Sequence, residues 1–81
     1  MHEYHIVEKI VNQAAEKTKS EGASRITKIT LALGELSGFA ESSVRLYFET
    51  ISVGTAAEGA ELIIKPLCSS KKLYIENIEV E

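Results

Sequence analysis

At 81 residues the chain is one small domain, expected to bury about 60% of the surface its unfolded form exposes. Hydrophobic residues make up 44% and charged residues 26%, as in ordinary soluble proteins, and the net charge of −3 argues against nucleic acid, which asks for a basic stripe. No apolar run approaches the roughly 18 residues of a membrane span, and no basic segment followed by an apolar core marks an export signal. The single cysteine, Cys68, excludes an internal disulfide and fits a reducing, cytoplasmic setting.

Between residues 4 and 21, Ile6, Val7, Ile10, Val11, Ala14 and Ala15 recur at helical spacing, with Lys9, Gln13, Glu16 and Lys17 on the other face. Gly22 stands where a left-handed residue would close that helix, and His2 and Glu3 fall just before it or in its first turn. Residues 26–33 predict a strand whose alternation turns Ile29, Leu31 and Leu33 toward the helices. Gly34 and Gly38 bracket Glu35-Leu36-Ser37 and mark a turn or a strained backbone. A second helix follows over 41–53, with Val44, Tyr47, Phe48 and Ile51 as one core stripe and Gly54 as its stop.

Residues 61–64 predict a short strand ended by Pro66, which cannot donate to a sheet ladder. The last strand, over 73–80, slips in phase: Leu73 and Ile75 are odd, Ile78 and Val80 even. One extra residue in a β-bulge near Glu76-Asn77 restores a single buried face. The order α-β-α-β-β implies an α+β domain, two helices packed on one face of a three-stranded sheet around one core. The helical link between the first two strands favours parallel pairing, and the short link between the last two suggests antiparallel pairing if they are neighbours.

Only the opening Met1-His2-Glu3 suggests chemistry. A free α-amino group, the backbone nitrogen of His2 and its Nδ1 can close two adjacent chelate rings on one ion, and three such nitrogens suit Ni(II) or Cu(II) better than tetrahedral zinc. A histidine at position 2 is by itself more often a solvated imidazole on a frayed terminus. His5, three residues on, is within reach of the same ion on a first turn, but reads better as a solvated helix residue.

The rest of the chain bears on that choice. Met1-His2-Glu3, Gly34-Glu35-Leu36-Ser37-Gly38, Gly54-Thr55, Glu58-Gly59-Ala60-Glu61-Leu62 and Ile78-Glu79-Val80-Glu81, in this order, resemble the HypA/HybF family of nickel chaperones. The resemblance implies a nickel-binding metallochaperone domain that delivers Ni(II) during maturation of [NiFe]-hydrogenase and, in some bacteria, urease. It implies His2 as the essential metal ligand, with the Met1 amine and the backbone nitrogens of His2 and Glu3 as further candidates. The Glu3 carboxylate would orient the imidazole or offset metal charge. It also implies two partners, a nickel-binding GTPase of the HypB type and the hydrogenase large subunit.

One departure is large. Family members carry a zinc-ribbon lobe with two Cys-x-x-Cys pairs between the last two strands, and here that lobe is missing. Lys65-Pro66-Leu67-Cys68-Ser69-Ser70 looks like the tail of a Cys-Pro-x-Cys-Gly-Ser knuckle, with Lys65 in place of the first cysteine. A structural zinc needs four ligands, so residues 1–81 are expected to form a single nickel-type domain without zinc. The link from Pro66 to Lys72 exceeds a tight hairpin's needs and favours a monomer, with a dimer through strand exchange as the alternative. A second function class is a truncated, HypA-like interaction module that delivers no metal. An enzyme is the poorest reading, since Ser37, Ser42, Ser43 and Cys68 lack a histidine base outside the N-terminus.

Overall fold

A computed structural model describes residues 2–81, His2 by its backbone alone. The elements are α1 (His2–Ser20), β1 (Ile26–Gly34), α2 (Glu41–Ile51), β2 (Glu61–Leu67) and β3 (Leu73–Val80). The expected α+β arrangement holds. α1 begins at His2, ahead of the apolar stripe, and Gly22 closes it at φ +74° while the Ala23 N–H bonds back to the Thr18 carbonyl at 3.1 Å. α2 ends at Ile51 rather than Val53, and Gly54 then turns the chain at φ +79° with its N–H held by the Glu58 carboxylate at 3.0 Å. The Gly54-Thr55 and Glu58-Gly59 motif residues therefore build the turn that delivers β2.

The sheet order is β2-β1-β3. β1 pairs parallel with β2, as the helical connection implies, and antiparallel with β3. The sequence leaves open whether β2 and β3 are neighbours; the structure places β1 between them, and the link crosses over the end of β1. Backbone bonds fix that crossing: Gly34 N–H to the Lys72 carbonyl at 2.7 Å, Leu36 N–H to Ser70 at 2.8 Å and Glu35 N–H to Leu67 at 3.0 Å. Gly34 leaves the room for it. A Cβ there would sit 2.8 Å from the Lys72 carbonyl oxygen and closer still to that of Ser70.

Two further details correct or sharpen the sequence reading. β2 does not stop before Pro66 but runs on to Leu67, with Pro66 opposite Leu33. An edge strand tolerates this, because one side of its backbone has no ladder to lose. The expected bulge lies at Glu76: Thr30 faces Asn77 while Leu31 faces Ile75, so the slip in phase is absorbed there. A second irregularity at Thr27, between Ile26 and Lys28, has no counterpart in the sequence reading.

One core results. Val7, Ile10, Val11 and Ala14 of α1 and Val44 and Phe48 of α2 pack on Ile26, Ile29 and Leu31, with Ala57 from the turn before β2. Tyr47 and Ile51, expected in the stripe, are half-buried at its margin. Thr18, a polar residue that hydrophobic spacing passes over, is fully buried because its hydroxyl donates to the Ala14 carbonyl at 2.8 Å. On the sheet face away from the helices, Thr30 and Ala32 are also buried. Lys65 of β2 and Glu76 of β3, on the two edge strands, meet at 3.2 Å across the middle strand. No helix among the described residues is long and apolar enough to cross a membrane.

Candidate metal centre

Helix geometry decides what the start of α1 offers an ion. The first N–H groups of any α-helix have no carbonyl one turn earlier to bond, so they remain free for other partners. His2 is the first residue of α1 and Glu3 the second. Their backbone nitrogens thus stand where a metal can replace a proton without breaking a helical hydrogen bond. The same position carries a cost, since the helix dipole puts roughly half a positive charge at the N-terminus and repels a cation. Glu3 supplies the compensating negative charge in this first turn.

The Glu3 side chain does not hang free. Its Oε1 accepts from the N–H of Ala40 at 3.3 Å, and Ala40 is the N-cap of α2. Ala40 has the extended backbone of a cap (φ −88°, ψ 138°) but no side-chain oxygen to bond its own helix. Next to this bond, the Tyr4 ring meets the Tyr47 ring edge-on, with centroids 5.7 Å apart. The Glu3–Ala40 hydrogen bond and the Tyr4–Tyr47 contact therefore tie the first turn of α1 to α2.

The other residues singled out in the sequence are dispersed. His5 turns outward, its side chain 74% exposed, with Nδ1 3.9 Å from the Glu8 carboxylate and its ring edge-on to Tyr4. Cys68 is exposed in the crossover, its Sγ 3.7 Å from the Ser69 hydroxyl. Among the described residues no three His, Cys, Asp or Glu side chains gather into a group fit to hold a metal. The Met1 amine and the His2 imidazole, the principal candidates, lie outside what is described. Sequence reasoning missed Ala40, whose contribution is a backbone N–H that its side chain does not announce.

Residues 1–72 match the family model described as hydrogenase/urease nickel incorporation, metallochaperone, HypA. The chain belongs to the HypA family. A HypA-family relative, the hydrogenase maturation factor HypA of Caldanaerobacter subterraneus subsp. tengcongensis, is 30% identical with both chains covered in full. The hydrogenase maturation factor HypA of Chlorobium limicola is 39% identical over 85% of this chain and 60% of its own. This chain therefore spans about three fifths of the length of that curated relative. The solution structure of the Ni metallochaperone HypA from Helicobacter pylori superposes with a TM-score of 0.75 at 22% identity, over 93% of this chain and 70% of that one. At that identity the likeness establishes the shared fold.

Proposed function

We propose that this chain binds Ni(II) at Met1-His2-Glu3 and delivers it during maturation of [NiFe]-hydrogenase. The ligands are the His2 imidazole and backbone nitrogen and, on a chain with a free Met1, the α-amine, with the Glu3 backbone nitrogen as a further donor. The observation that carries the reading is the position of His2 as the first residue of α1, where backbone amides are free of helical bonds. An exposed terminal chelate also suits delivery, because its ligands can be displaced one at a time by a receiving site. The receivers in this reading are a nickel-binding GTPase of the HypB type and the hydrogenase large subunit, in the cytoplasm, and the domain catalyses no reaction of its own.

The reading includes a domain complete without zinc. The alignment with the Caldanaerobacter relative spans 114 positions against the 81 residues here, so that relative carries a stretch this chain lacks. Cys68 is a single thiol where a structural zinc needs four donors. β3 pairs with β1 of its own chain, and the reading keeps a monomer, since the link from Pro66 to Lys72 is longer than a tight hairpin needs.

Isothermal titration of the untagged protein with Ni(II) tests the site. Binding becomes weak or undetectable in His2→Ala, and also in His2→Gln, which keeps the bulk at position 2 without the imidazole. An uncleaved N-terminal tag removes the α-amine and abolishes the native mode, while His5→Ala changes affinity by less than about tenfold. Unchanged binding in His2→Ala, or a larger loss in His5→Ala, would misplace the site. A parent that bound no nickel would leave only the interaction-module reading.

A further inference from the structure

Two helix N-termini meet at one carboxylate. Glu3 lies in the first turn of α1, and its Oε1 takes the N–H of Ala40, 37 positions away, at the start of α2. Each helix start leaves backbone N–H groups without a carbonyl partner, and this carboxylate takes one from α2 while standing in the first turn of α1; the charge it sets against the helix dipoles is a small effect beside that bond. α2 has no side-chain acceptor at its own cap, because Ala40 is apolar, and Glu41 in its first turn pairs with Arg45 at 3.1 Å.

We propose that Glu3 is a positioning residue and not a side-chain ligand: its carboxylate pins the first turn of α1 to the N-terminus of α2 and so sets where the backbone nitrogens of His2 and Glu3 stand. The inference rests on the nickel-binding reading above, and it makes the backbone of Ala40 part of the site. The pin orients the turn rather than anchoring the helix. Val7, Ile10 and Val11 hold α1 in the core independently, so variants at Glu3 fold. The Ala40 N–H at 3.3 Å fixes the direction in which the Glu3 carboxylate points, toward the start of α2.

A glutamine at position 3 separates the two roles. Its amide oxygen accepts the same N–H, but it brings no anionic oxygen to a metal. Nickel titrations, with the absorption spectrum of the bound ion as a second readout, are made on Glu3→Gln, Glu3→Ala, Ala40→Pro and the double variant Glu3→Ala/Ala40→Pro. Glu3→Gln should stay within about threefold of the parent affinity with an unchanged spectrum. Glu3→Ala should weaken binding about tenfold, the scale of one lost hydrogen bond to a charged group, again with an unchanged spectrum because the donor atoms are the same. Ala40→Pro deletes the N–H and leaves the carboxylate; it should match Glu3→Ala, and the double variant should lose no more than either. If Ala40→Pro does not fold, the contrast between Glu3→Gln and Glu3→Ala decides alone. Equal losses in those two with a shifted spectrum would make the carboxylate a ligand and overturn the proposal, as would a Glu3→Ala protein that binds like the parent. The His2→Ala control tells this failure from the other. If it keeps parental affinity, the N-terminal nickel site itself is misplaced, whatever Glu3 does.

Discussion

The first turn of α1 and the crossover from β2 to β3 are built on opposite principles. At the first turn, a 3.3 Å hydrogen bond from Ala40 to Glu3 and edge-on contacts of Tyr4 with Tyr47 and His5 link half-buried and exposed side chains. At the crossover, backbone packs on backbone through three bonds of 3.0 Å or less, with no room for a Cβ at Gly34. The segment between them is shared: Leu36 donates its N–H to the crossover and Ala40 donates its own to Glu3. Reactive donors need exposure and freedom to exchange partners, whereas closing the sheet needs a tight fit. The two regions should therefore respond to substitution in opposite ways.

Gly34→Ala breaks the comparison if it is wrong. It should cost about 3 kcal/mol or more, because the added methyl meets the Ser70 and Lys72 carbonyls and backbone must move. Urea unfolding measures the loss, and nickel affinity per folded molecule should be unchanged. Ala40→Ser sharpens the comparison from the other side. The backbone at this cap already suits a serine, whose hydroxyl should stabilise the domain by about 1 kcal/mol through α2. Lys65→Ala should cost less than about 1 kcal/mol, since the pair with Glu76 is exposed. The smallest effect expected is none: a zinc chelator should leave the urea midpoint where it was, and elemental analysis should find no stoichiometric zinc. Unfolding by chelator would mean that the crossover is not self-sufficient.

Much of this fold was legible because apolar spacing reports burial directly. The stripes through Val7, Ile10 and Val11 and through Val44 and Phe48 gave the helices, and the phase slip between Ile75 and Ile78 gave the bulge at Glu76. Strand order was not legible. It depends on a close backbone approach at Gly34, and a sequence shows only that a glycine is there. Pro66 misled for a related reason, since its missing N–H matters only on the side of a strand that has a neighbour. At the candidate site, His2 stood out by its position near the start of the chain. The pairing of Glu3 with Ala40 left no trace, because its donor is a backbone N–H under an alanine.

The central claim is that nickel is held at the start of α1 and sensed at the start of α2, while the crossover is structural. Amide NMR during a titration of the untagged protein with Ni(II) tests this directly, since square-planar Ni(II) is diamagnetic and leaves signals sharp. The expected result is loss of the His2 amide signal as its proton is displaced, joined by that of Glu3 where its nitrogen is the further donor, with large shifts at Tyr4 and Ala40. Ser69 and Ser70 should stay still. Shifts centred on Cys68 to Lys72, with the first turn of α1 unmoved, would contradict it.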